Sequence, residues 1–123
     1  MTAVSGSSAT YKGGIISYTN DVKENILGVS GEILVRYGAV SQPVAAAMVS
    51  GVRKLLHADV AVSVTGLAGP GGDEFGNPVG TVYIGYEDNK HTVVEKFLFR
   101  GDRESVRNQT IEMALKLVLD NNM

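Results

Sequence analysis

The chain has 123 residues, 44% of them hydrophobic, enough for one domain with a sizeable core. Its formal net charge is -2 and its 11 lysines and arginines form no run or stripe, which argues against nucleic acid as a partner. There is no cysteine to form a disulfide, a thiolate metal site or a thiol nucleophile, and the two histidines, His57 and His91, are too few and too far apart to suggest a metal site.

No stretch approaches the roughly 20 apolar residues of a membrane span, and the first residues carry neither the charge nor the apolar run of a signal peptide. The expected compartment is the cytoplasm. In chain order, a small polar beginning with Gly6-Ser7-Ser8 leads to Gly13-Gly14-Ile15-Ile16-Ser17-Tyr18, which reads as a short strand. Thr19 or Asn20 caps a helix over about 21–27 that places Lys23 in its first turn, and Gly28 ends it. Ser30 caps a second helix over 31–37, closed by Gly38. Ser41-Gln42-Pro43 opens a longer helix through about residue 57, with Val44, Met48, Val52, Leu55 and Leu56 at helical spacing. Ala45, Ala46 and Ala47 keep its surface thin enough to lie close against a sheet.

Residues 59–65 are a valine-rich run of strand length, expected as a central strand buried on both faces and parallel to the strand at 13–18, since the long helical segment between them suits a crossover. Residues 66–80 hold six glycines and two of the three prolines, and form a loop. Strands over 81–86 and 92–99 follow as an antiparallel hairpin, then a helix over 103–120 capped by Asp102. That helix carries one apolar stripe at Ile111, Ala114, Leu115 and Val118 and another at Val106, Met113 and Leu117. Two stripes exceed what one sheet face covers, which predicts a further packed helix or a subunit interface. The sum is an α/β fold, a three-layer α/β/α sandwich with a mixed β-sheet of at least four strands.

Four features carry candidate chemistry. Ser8 and Lys23 suit a serine–lysine pair, in which an amine made neutral by burial takes the hydroxyl proton; the plainer reading is a surface serine and a solvated lysine. Tyr18 is either a hydrogen-bond relay or ligand-stacking group, or plain half-buried packing. The loop after Thr65 follows the end of a strand, where α/β sheets collect ligands, and its glycines let N–H groups approach an anion, although it matches neither a phosphate-binding P-loop nor a dinucleotide fingerprint. A ligand-free crossover remains the alternative. Arg103 and Arg107 stand one turn apart at a helix N-terminus, where the macrodipole disfavours cations, so either a bound anion or a surface ion pair accounts for them. His57 reads as a cap near a helix C-terminus and His91 as an exposed strand-edge residue.

Taken together, Gly6-Ser7-Ser8, Tyr18-Thr19-Asn20 with Lys23, Tyr37-Gly38-Ala39-Val40-Ser41, Val64-Thr65-Gly66-Leu67-Ala68-Gly69-Pro70-Gly71-Gly72, Pro78-Val79-Gly80-Thr81-Val82 and Gly101-Asp102-Arg103 with Val106-Arg107 resemble the CinA C-terminal domain family. The resemblance runs from about Val4 to the last helix. It implies hydrolysis of the carboxamide of nicotinamide mononucleotide to nicotinic acid mononucleotide and ammonia, without metal or other cofactor, in an α/β/α fold that is commonly a homodimer. Carried onto this sequence, it implies Ser8 as nucleophile, Lys23 as its base, and Tyr18 and Thr65 in the hydroxyl network at the amide. It places Asn20, Gly66, Gly69 and Gly71, with Arg103 or Arg107, on the substrate and its phosphate.

The chain departs from the family pattern in one respect. About forty residues usually precede this region, a helix and a strand ending in a Glu-Ser-Cys-Thr-Gly-Gly turn that supplies another candidate serine. The single domain is therefore expected to be N-terminally truncated relative to the family, with an incomplete core, and the activity is expected of the full-length protein rather than of this chain alone. The competing expectation is a non-catalytic dimeric module that binds a nucleotide or phosphate or serves in assembly.

Overall fold

The structure is a computed structural model and describes residues 20–67 and 75–121. Four helices and three strands follow in the order α1 (Asn20–Asn25), α2 (Gly31–Tyr37), α3 (Gln42–Leu55), β1 (Ala61–Gly66), β2 (Thr81–Glu87), β3 (Thr92–Leu98) and α4 (Arg103–Asn121). The expected strand at 13–18, and with it the parallel pairing and the fourth strand of a mixed sheet, lies outside the described residues. The described sheet has the order β1-β2-β3, antiparallel throughout, with Thr65 opposite Tyr83 and Tyr83 opposite Lys96.

Helices cover both faces of this sheet, as the expected sandwich requires. Strand periodicity sends Ser63, Thr65, Gly85 and Glu87 to one side and Val82, Ile84, Tyr86 and Phe97 to the other. On the first side α3 comes very close. Ser63 Oγ donates to Ala45 O at 2.8 Å, and a Cβ added to Gly85 would stand 3.0 Å from that same carbonyl oxygen. The alanine run of α3 and the missing side chain at Gly85 permit this approach. Leu27, Val29, Leu34, Val44 and Met48 then form a core between α3 and the α1–α2 layer outside it. Gly51 completes the contact, since a Cβ there would overlap Leu27 O. On the second side Val82, Ile84 and Tyr86 pack with Val106 and Leu117 of α4.

The two cores behave differently from the expectation of a fully buried β1. The strand is buried through Ser63 and Thr65, whereas Val64, on the α4 side, is 42% exposed. Of the two stripes on α4, the one through Val106 and Leu117 is buried, while Ile111 and Leu115 remain 59% and 48% exposed. The caps also differ in detail. Ser30 and Ser41 hold the N-cap backbone positions without a side-chain cap bond, and Ser41 Oγ instead donates to Gly38 O at 2.8 Å. Asp102 does cap α4, its Oδ1 accepting from the N–H of Ser105 at 2.9 Å.

The β2–β3 turn is organised by one carboxylate. Asp88 Oδ1 accepts the N–H groups of Lys90 and His91, and Tyr86 donates its hydroxyl to Oδ2. The backbone N–H of Lys90 is the leading cause that pulls the Asp88 carboxyl down to about 2. His91 bridges onward: its Nε2 lies 2.9 Å from Asn121 Oδ1 at the end of α4, and its ring is tilted against Tyr86. It is thus a tie between the turn and the last helix, a role its strand-edge position alone does not reveal. His57 takes a left-handed φ of 51° just past α3, ending that helix through its backbone.

Candidate functional site

The C-terminal end of β1 is where the fold gathers helix N-termini. Thr65 Oγ1 donates to Ala39 O at 2.7 Å, which brings the corner before α3 against this strand end. On the far side of the strand, Leu67 N–H donates to Thr81 O and Gly80 N–H to Leu67 O, closing the neck of the glycine-rich loop. Phe99 N–H donates to Gly80 O, and the chain turns there through Gly101, at φ 114°, into α4. The starts of α3 and α4 therefore flank the same sheet end from opposite faces. Each brings the positive end of its dipole to that sheet end, where α/β folds commonly collect ligands.

The structure accounts for the sequence-derived residues as follows. Thr65 is buried at 7% exposure, and its hydroxyl proton is committed to Ala39 O, which leaves its oxygen as an acceptor. Gly66 stands at the strand terminus opposite Val82, where a Cβ would press on that side chain at 2.8 Å. Arg103 and Arg107 are exposed in the first turns of α4, and among the described residues neither enters an ion pair. Asn20 begins α1. Ser8, Tyr18, Gly69 and Gly71 lie outside the described residues.

Lys23 is the distinctive charge. It sits in α1 at 7% exposure, its carbonyl accepting from Val29 N–H at 2.9 Å, and Val29 packs with Val44 and Met48 in the first half of α3. Burial lowers the pKa of its ammonium below the usual 10.5, because removing water penalises the charged form. A lysine so placed is closer to a usable base than a solvated one.

Residues missed by the sequence reading surround this end. Asn77 donates Nδ2 to Val40 O at 3.1 Å, and the Phe75 ring occupies the space a Cβ on Gly38 would need, 2.7 Å from that position. An asparagine beside Pro78 in a loop reads as turn chemistry, so its long-range bond left no local signal. A separate cavity of about 310 Å3 lies between Val93 and Glu95 of β3 and Met113, Leu117 and Asp120 of α4. It is at the opposite end of the sheet and holds no candidate nucleophile; Lys116 and the two carboxylates on its walls suit a wet surface groove. Among the described residues no cluster of histidine and acidic side chains fit to hold a metal ion occurs.

Fold and site thus define an α/β/α protein with a polar site at the ends of its strands and starts of its helices. The model of the CinA C-terminal domain matches residues 1–121, and the chain belongs to that family. A CinA-like protein of Sulfurihydrogenibium sp. (strain YO3AOP1) is 49% identical over 115 residues, 94% of this chain and 29% of that protein. A putative competence-damage inducible protein of Thermoanaerobacter sp. (strain X514) is 46% identical over 96% of this chain and, again, 29% of its own length. The chain therefore spans less than a third of these curated relatives. The crystal structure of competence damage-inducible protein A from Klebsiella pneumoniae is similar at a TM-score of 0.92 and 34% identity, covering 95% of this chain and 73% of that one. The competence/damage inducible protein CihA of Agrobacterium tumefaciens is similar at 0.94 and 35% identity, covering 99% and 75%.

Proposed function

We propose that the protein is a nicotinamide-nucleotide amidohydrolase of pyridine nucleotide salvage, converting nicotinamide mononucleotide to nicotinic acid mononucleotide and ammonia in the cytoplasm. The observation that carries this reading is the buried Lys23, whose amine is biased toward its neutral form. In the proposed reaction Lys23 Nζ takes the proton of Ser8 Oγ as that oxygen attacks the carboxamide carbon. The carbon–nitrogen bond then breaks, and the proton passes to the departing nitrogen, which leaves as ammonia. Water attacks the resulting acyl ester, releasing the carboxylate and restoring the serine hydroxyl.

The remaining residues have binding roles in this account. Tyr18 and Thr65 share the hydroxyl network at the amide. Arg103 or Arg107, the α4 N-terminus, Asn20 and the backbone at Gly66, Gly69 and Gly71 meet the nucleotide and its phosphate. The test is incubation of the protein with nicotinamide mononucleotide and mass analysis of the products. Nicotinic acid mononucleotide and ammonia are expected from the full-length protein; free nicotinamide, or no product from it, would overturn the reading.

A second reading, a non-catalytic assembly module, draws on the exposed stripe of Ile111, Leu115 and Leu119 on α4. Such a stripe suits a homodimer interface. Sedimentation of the protein and of Leu115→Glu tests that interface, since a dimer built on this face becomes a monomer in the variant.

A further inference from the structure

We propose that Asn77 is a positioning residue of the candidate site, acting on Thr65 through the corner between α2 and α3. This rests on the reading above only in supposing that the Thr65 hydroxyl meets the substrate amide. The corner offers two consecutive carbonyls, and each is taken from a different part of the chain. Thr65 Oγ1 donates to Ala39 O at 2.7 Å from the end of β1, and Asn77 Nδ2 donates to Val40 O at 3.1 Å from the segment leading into β2.

Gly38, at φ 81°, ends α2 in a conformation that side chains resist, and Ser41 donates back to Gly38 O. Phe75 lies over Gly38 from the same loop segment as Asn77. Pro78 to Thr81 make that segment stiff, because Thr81 donates both its N–H and its hydroxyl to Pro78 O. Asn77 thus hangs from a rigid turn and pins Val40. Adjacent peptide planes share a Cα, so fixing Val40 O restrains the direction of Ala39 O.

That direction matters because Ala39 O receives the Thr65 proton. With its proton committed there, the Thr65 hydroxyl points its lone pairs into the site and accepts from a donor. A carboxamide nitrogen donates, and the carboxylate of the product does not. The orientation set through Asn77 therefore favours the amide over the acid. Two sequence segments, Tyr37 to Ser41 and Pro78 to Val82, acquire a shared purpose: together they hold one hydroxyl.

The test uses Asn77→Asp, which keeps the shape and removes the donor. Vicinal couplings to the Thr65 methyl carbon, measured by NMR in the unliganded protein, report its χ1 without reference to turnover. We expect one staggered rotamer in the wild type and averaged couplings in Asn77→Asp. With nicotinamide mononucleotide, Asn77→Asp should lower kcat about tenfold at little change in KM, as expected for a misaligned group. Combined with Thr65→Val it should add nothing further, because its effect passes through the hydroxyl already removed. Thr65→Ser, which keeps the hydroxyl, should retain the sensitivity to Asn77→Asp. Unchanged couplings, or kcat losses that multiply in the double variant, would overturn the proposal. Absence of turnover in the wild type would overturn the amidase reading alone, and the couplings would still decide whether Asn77 orients Thr65.

Discussion

Arg53 on α3 and Glu87 at the end of β2 meet across the helix–sheet interface, with Nη1 3.5 Å from Oε2. Ser50 and Thr92 donate to the same carboxylate, so this nearly buried group is satisfied from a helix and a neighbouring strand at once.

This cluster predicts a pH dependence of stability. Desolvation alone raises the Glu87 pKa, but the hydrogen bonds of Ser50, Thr92 and Arg53 and the Arg53 charge outweigh it, and the net shift is downward from 4.5. A carboxyl with a depressed folded pKa stabilises the fold above its unfolded value and loses that contribution as pH falls through the folded one. Denaturant midpoints should therefore be flat above about pH 5 and decline below it. In Glu87→Gln the decline should be shallower; an identical slope would remove Glu87 as its source.

Helix propensity and packing give opposite predictions at Gly51. Alanine in a helix interior is favoured over glycine by about 1 kcal/mol. Here the new Cβ would overlap Leu27 O, a backbone atom that cannot turn aside. Gly51→Ala should consequently destabilise by about 3 kcal/mol, the upper range of overpacking. A raised thermal midpoint would show that α3 and the α1–α2 turn are not in contact as described.

The two stripes of α4 should separate cleanly under mutation. Leu117 is buried against Ile84 and Tyr86, and Leu117→Ala should cost about 2–5 kcal/mol. Leu115 is half exposed, and Leu115→Ala should change stability by about 0.5 kcal/mol in a monomer. Equal large losses would mean that a partner covers the outer stripe.

The sequence reading reached the helices and the hairpin because their signals are local. Gly28, Gly38 and Gly101 end or redirect the chain at positive φ, and the alternation in 81–86 and 92–99 matches β2 and β3. It also singled out Lys23 by its spacing from Ser8, and Thr65 through the family resemblance. Burial was harder to read. A valine run looks the same whether or not something covers Val64, and the second stripe of α4 looks the same whether its partner is a sheet or solvent. The clamp at Ala39 and Val40 was illegible for another reason. Its acceptors are backbone carbonyls, which every residue has, and its donors lie 26 and 37 positions away.

In the proposed reaction Lys23 serves as a base in hydrolysis of nicotinamide mononucleotide. The direct measurement is the pH profile of kcat for ammonia release by the wild type, Lys23→Ala and Lys23→Arg. The wild-type rate should rise with pH through a midpoint below 10.5, as the neutral amine accumulates. Both variants should fall by about a hundredfold or more, since neither supplies a neutral amine. A wild-type rate preserved in Lys23→Ala would contradict it.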